Sequence, residues 1–167
     1  VSSSKYDQAV SIGKETLDAL AELGKQDKLE YQLAVGELAV WYAHALIYVG
    51  QPKNAISLLQ EIIASLERQR QHRTVPSFGS WRWNLVLGRA HNHIGYASWM
   101  ELGQYEVALK EFSASIPYFL AGECKEELAT VYDNLGRVYG QLGYRTRAEL
   151  LIDHGRQIRL DMHDDYR

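Results

Sequence analysis

The chain has 167 residues, a length that suits one domain with a substantial core. Its apolar share of 46% and charged share of 23% are ordinary for a globular protein, and its net charge of −3 excludes a strongly basic surface. We therefore expect neither a nucleic-acid partner nor a membrane partner. Cys124 is the only cysteine, which rules out an intrachain disulfide and favours a reducing, cytoplasmic setting.

The first half of the chain predicts one leading helix and then a helical hairpin. Over residues 5–24, apolar side chains recur every three or four positions, which indicates an amphipathic helix with no partner helix before it. Residues 27–70 predict a hairpin whose first helix ends near Gly50. Its second helix begins at Pro52, because proline suits the first turn of a helix. The chain is thus expected to begin with half a repeat.

The second half predicts an insertion and two further hairpins. Residues 71–79 contain Pro76 and Gly79 and indicate an insertion loop. Hairpins are predicted over residues 80–121 and 125–162. The expected fold is all-α, with about seven helices.

Two features near these hairpins give narrower expectations. Pro117 should kink or end its helix, because its ring conflicts with a carbonyl one turn earlier. Phe78, Trp81 and Trp83 exceed what one helix face can bury. The insertion is therefore expected to fold back on the array or to form an exposed contact patch, and we favour folding back.

Small residues recur where the two helices of each hairpin would meet. Such residues let antiparallel helices approach to ~8–10 Å. The separations Gly103 to Gly143 and Ala108 to Ala148 are both 40 residues. The four alanines are Ala9, Ala55, Ala108 and Ala148, and the fullest pattern is Tyr132-x2-Leu135-Gly136-x2-Tyr139-x3-Gly143-x4-Ala148-x3-Ile152.

This pattern resembles the tetratricopeptide repeat (TPR). The resemblance implies a right-handed superhelix of antiparallel hairpins whose first helices line a concave groove. A 40-residue period is similar to TPR arrays of bacterial signal-transducing NTPases and large transcription regulators, and also to the eukaryotic kinesin-light-chain and G-protein-modulator class. Both imply a non-enzymatic sensor or scaffold that recognises a protein, a peptide or a small ligand, and we prefer a bacterial regulator as the parent.

The resemblance also assigns candidate binding residues to the concave faces. Arg137 offers a planar fork suited to a carboxylate, and Asn134 can pair with an extended backbone. The alternative is a solvated face with some aromatics in the core, and Trp41 is the member most expected to be core. The candidates are Glu37, Trp41, His44, Tyr48, Arg89, His93, Met100, Asp133, Asn134, Arg137 and Gln141, with Ala97 and Thr130 beside them.

Motifs for chemistry are sparse. His91 and His93 are two residues apart and would point in different directions on a helix, so they should not share a metal. We expect one to be exposed and the other partly buried. The chain lacks a glycine-rich nucleotide motif, and we expect no cofactor, no metal and no catalysis.

A self-association module is the alternative function. The chain opens on Val1 without an initiator methionine, so we expect a fragment of a longer protein. The end helices over residues 5–24 and 145–162 should then expose apolar surface that a neighbouring repeat normally covers. Pairing of these helices between copies would give a homodimer.

Overall fold

A computed structural model describes residues 3–22, 29–72 and 80–164 of the chain. Within these ranges the protein is all-α, as the periodicity predicts, with seven helices and no strand. Residues 73–79, and with them Phe78 and the folding back of the insertion, lie outside the described part. The helices are α1 (Ser3–Glu22), α2 (Leu29–Tyr48), α3 (Pro52–His72), α4 (Ser80–Met100), α5 (Tyr105–Ala121), α6 (Lys125–Gln141) and α7 (Arg145–Asp164).

Consecutive helices pack as antiparallel pairs. Along the α4–α5 pair, Gly88 lies against Phe119 and Gly95 lies against Phe112, so the two helices run in opposite directions. Alternate helices also meet, because α2 contacts α4 and α4 contacts α6. The result is a solenoid-like stack in which α2, α4 and α6 share one layer.

The core consists of two apolar clusters that meet at α4. One cluster joins α2, α3 and α4 around Leu33, Leu59 and Val86. The other joins α4, α5 and α6 around Phe112 and Val131, with side chains of α7 packed against it. Because α4 contributes to both clusters, it fixes the position of the inner layer from both sides.

Three of the four alanines make the helix contacts expected of them. Ala55 and Ala108 are fully buried, and Ala148 is 7% exposed. Ala9 is exposed, so its prediction is wrong. One turn later on α1, Gly13 makes the close approach instead, since a Cβ there would lie 2.7 Å from Cδ2 of Tyr42.

The turns and the proline show how each hairpin closes. Gly50 and Gly143 have φ values of +76° and +87°, which favour glycine, and each lies between the two helices of a hairpin. Pro117 does not end α5, which continues to Ala121. The backbone N–H of Gly122 donates to the carbonyl of Tyr118, so the final turn closes beyond the proline.

Candidate functional site

The layer formed by α2, α4 and α6 carries a groove whose facing side chains are in register. The guanidinium of Arg89 on α4 lies 5.6 Å from the ring centre of Trp41 on α2 and 2.5 Å from a carboxylate oxygen of Glu127 on α6. The rings of His44 and His93 lie 5.0 Å apart, centre to centre. Three adjoining helices therefore present their side chains to one shared surface.

Three clefts among the described residues open on this surface: the Trp41 cleft, the histidine cleft and the Arg137 cleft. The Trp41 cleft has a volume of about 250 Å³. It is lined by Val40, Trp41, His44, Arg89, Asn92, His93, Glu126, Glu127 and Thr130. The histidine cleft, of about 200 Å³, shares four of these residues and is lined by His44, Tyr48, Asn92, His93, Tyr96, Thr130 and Asn134.

Trp41 lies at the open side of its cleft, contrary to the expectation that it is core. Its side chain is 60% exposed. Its ring contacts are with the Arg89 guanidinium and, edge-on, with His44. Trp41 misled the sequence interpretation because α2 is apolar on most of its surface, so its periodicity does not identify the inner face. A largely exposed indole beside a cleft is suited to apolar contact with a ligand.

The two histidines form the uncharged floor between the clefts. Burial lowers the pKa of His93 to about 3, with smaller contributions from His44 and Arg89. Burial also lowers the pKa of His44. Both imidazoles are therefore neutral near pH 7, and the floor offers hydrogen-bonding nitrogens without positive charge.

Two asparagines connect α4 to α6 in the histidine cleft. Asn134 is 9% exposed, and its Nδ2 donates to Oδ1 of Asn92 over 3.2 Å. Asn134 therefore lies at the bottom of the groove, one turn away from the exposed Arg137. The two side chains line different clefts, so they do not address the same ligand atoms.

The Arg137 cleft is the largest of the three, at about 490 Å³. Met100 is half exposed at its rim, and the indole Nε1 of Trp99 donates to Oε1 of Gln141 over 2.6 Å. Arg137 makes no ion pair within the described ranges, so its guanidinium is available to an anionic group. The lining residues are Tyr96, Trp99, Met100, Arg137, Gly140 and Gln141.

A row of tyrosines runs along the groove at the ends of α1, α2 and α4. Tyr6 stacks on Tyr48 with ring centres 4.6 Å apart, and Tyr48 lies 6.4 Å from Tyr96. Hydrogen bonding to Tyr96, together with burial, raises the pKa of Tyr48. The Tyr48 phenol is thus protonated near pH 7 and adds a neutral polar group to the groove.

Three residues assigned to the concave face by the sequence have structural contacts instead. Glu37 accepts two hydrogen bonds from Arg82, at 2.8 and 3.0 Å. Asp133 faces α7, where its carboxylate lies 2.8 Å from the guanidinium of Arg159. Ala97 is fully buried in the core. None of these three residues lines any of the three clefts.

The histidine prediction also needs correction, because both His91 and His93 are partly buried. His91 points away from the groove and lies 2.7 Å from a carboxylate oxygen of Glu111 on α5. Its ring stacks on Tyr118. Among the described residues, no group of three or more His, Cys, Asp or Glu is placed to hold a metal ion.

Sequence reasoning missed several groove residues on α4 and α6. On α4, Asn92, Tyr96 and Trp99 recur at spacings of four and three, which places them on one helix face. The predicted stripe of Arg89, His93 and Met100 lies beside that face. The two are offset by about one residue around the helix. The other missed residues are Val40 on α2 and Glu126, Glu127 and Gly140 on α6.

Comparison with known proteins identifies a fold neighbour. The crystal structure of BtubC (BKLC) from P. vanneervenii aligns with a TM-score of 0.69 and 18% identity, covering 93% of this chain and 58% of that chain. The chain thus spans a little over half the length of that protein. No family model matches the chain, and no curated protein matches it by sequence. No described helix is long and apolar enough to cross a membrane. The similarity shows the fold alone, a helical arrangement of the solenoid type.

Proposed function

We propose that this chain is a TPR segment that binds an extended peptide of a partner protein in the groove of α2, α4 and α6, without catalysing a reaction. One observation carries the proposal: three clefts lie side by side on alternate helices, and their floors combine aromatic rings with amides and imidazoles. A chain of such clefts suits the regularly spaced side chains and backbone groups of a peptide.

The assignment to the TPR class rests on the small residues and their spacing. A Cβ on Gly136 would lie 2.7 Å from Cγ1 of Ile152 and 3.0 Å from the carbonyl oxygen of Ala148. The TPR-like pattern thus coincides with a close helix approach. The 40-residue spacing fits a regulator of either TPR class named above, and the single cysteine favours a cytoplasmic parent protein.

The contacts divide into apolar anchors and one charged contact. Trp41 and Met100 are exposed beside separate clefts and supply apolar surface. Arg137 supplies a charged donor for a carboxylate of the peptide. Because these groups are divided between two separate clefts, they favour a peptide of several residues over a single small molecule.

The test is selection from a displayed library of random peptides, followed by calorimetry with the strongest peptide. Arg137→Ala should weaken binding by roughly 1.5–3 kcal/mol, because a charged hydrogen bond is lost. Arg145→Ala is the matched control, since Arg145 is exposed and lines none of the three clefts. If no selected peptide binds the Arg137→Ala protein more weakly than the parent protein, the proposal is contradicted.

Self-association is the second candidate, because the end helices expose large apolar side chains. Ile12 on α1 is 64% exposed, and Leu150 and Leu160 on α7 are 67% and 51% exposed. Sedimentation velocity over a range of concentrations would reveal a dimer. A dimer abolished by Leu150→Glu combined with Leu160→Glu would favour this candidate, whereas a monomer at every concentration would exclude it.

A further inference from the structure

The histidine cleft holds a pair of side-chain amides that use only part of their hydrogen-bonding capacity. Asn134 donates one hydrogen bond to Asn92, and no other hydrogen bond involves either side chain within the described ranges. Oδ1 of Asn134 remains an acceptor, and Nδ2 of Asn92 remains a donor. Both residues line the same cleft, so a donor and an acceptor are offered side by side.

The rest of the lining is uncharged. Tyr48, Tyr96 and Thr130 contribute hydroxyl groups, and burial keeps the imidazoles of His44 and His93 neutral. A carboxylate placed here would lose its hydration without gaining a counter-charge, which is costly. A neutral group with both a donor and an acceptor would exchange its hydrogen bonds to water for hydrogen bonds to the cleft, so its loss of hydration would cost little free energy.

Charges in the adjoining Trp41 cleft do not change this balance. Arg89 is paired with Glu127, and Glu126 is paired with Arg159. The Trp41 cleft therefore contains two carboxylates and one guanidinium. Because each of the three is already paired, the Trp41 cleft provides no free counter-charge for an incoming anion.

The volume sets the size of the group that fits. At about 200 Å³, the cleft is several times larger than the ~30 Å³ that a water molecule occupies in the liquid. It therefore accommodates a side chain of a few heavy atoms.

We propose that the histidine cleft is a subsite for a carboxamide side chain of the bound peptide, that of glutamine or asparagine. Asn92 and Asn134 form the hydrogen bonds that recognise it. The inference rests on the proposed groove function and adds a specificity to it. Selection against the acidic isosteres glutamate and aspartate follows from the uncharged lining. The Arg137 cleft, by contrast, accepts an anion.

The experiment uses three small probes and the side-chain amide signals of the ¹⁵N-labelled protein in NMR spectra. The probes are N-acetyl-glutamine-N-methylamide, the corresponding glutamate compound and the corresponding alanine compound. We expect the glutamine probe to shift the Asn92 and Asn134 signals and to bind roughly tenfold more tightly than the glutamate probe, because a carboxylate leaves the cleft's acceptor unpaired.

Two variants assign the effect to the cleft. Asn134→Leu keeps a helix-compatible side chain of similar size and should abolish the difference between the glutamine and glutamate probes. Asn54→Leu is the matched control, since Asn54 is exposed at the start of α3 and lines none of the three clefts. It should leave the response to all three probes unchanged.

Each contrary outcome has a separate meaning. Equal shifts from the alanine probe would assign the site to backbone amides and overturn the carboxamide class. Equal or tighter binding of the glutamate probe would overturn the neutral-site argument, and no shift from any probe would remove the subsite. None of these results affects the loss of selected peptides in Arg137→Ala, so the groove proposal is tested independently.

Discussion

At the scale of single residues, the hairpins depend on how closely two backbones approach. Ala148 is 7% exposed, and its carbonyl oxygen would lie 3.0 Å from a Cβ placed on Gly136. Both positions are therefore limited in size by the opposite helix rather than by their own helix. Sequence spacing alone predicted this pair, because two small residues placed opposite each other in a hairpin indicate a close helix approach.

Ala148→Leu should destabilise the protein by ~1–3 kcal/mol, because three added carbon atoms overpack the α6–α7 contact. Urea unfolding followed by circular dichroism measures the change. Ala64→Leu on the exposed side of α3 is the control and should stay within about 0.5 kcal/mol of the parent. Equal stability of the Ala148→Leu protein would remove the close-packing explanation.

The two groove histidines predict a pH dependence of stability. Their pKa values are lower in the folded state than the usual value of 6.5, to about 3 for His93. The unfolded chain therefore binds more protons between pH 6.5 and 3, and stability falls as the pH falls through that window. The loss between pH 6.5 and 4.5 should be smaller in His93→Gln, and identical slopes would show that His93 is free to ionise in the folded protein.

At the scale of helices, the sequence predicted the elements better than it predicted their faces. Helix α6 is clearly amphipathic, with apolar positions three and four residues apart, and its packing against α7 follows from that pattern. Helix α2 is apolar on most sides because it packs against α1, α3 and α4, so its sequence does not reveal which side is inner. For this reason Trp41 was predicted as a groove candidate and also as the candidate most expected to be core.

The contact between α2 and α4 rests partly on a guanidinium that binds two carboxylates. Arg82 lies 2.6 Å from Glu30 and 2.8 Å from Glu37, and its side chain is 26% exposed. Arg82→Met should lower the free energy of unfolding by about 1 kcal/mol at low salt, and by less at high salt. Arg156→Met is the control and should change little, because Arg156 and its partner Asp153 are 70% and 62% exposed. Equal effects of the two substitutions would contradict this account.

At the scale of the whole molecule, stability should decrease from the middle of the stack toward α1. Helix α4 contributes to both apolar clusters, whereas Gly13 is the only buried residue of α1 among positions 4–20. Amide hydrogen exchange should therefore be faster in α1 than in α4, since local opening requires less free energy where few apolar groups are buried. Equal protection of the two helices would show that the stack unfolds as one unit.

The central claim, that the groove of α2, α4 and α6 is the binding surface, is tested most directly by two matched tryptophans. Trp41 lines the groove and is 60% exposed, whereas Trp81 is 51% exposed at the start of α4 and lines none of the three clefts. Calorimetry of a selected peptide should give an affinity about tenfold or more weaker for Trp41→Ala, the loss expected for an aromatic anchor, and unchanged for Trp81→Ala. The reverse result, with Trp81→Ala weakened and Trp41→Ala unchanged, would contradict the claim and place the binding surface beside the insertion.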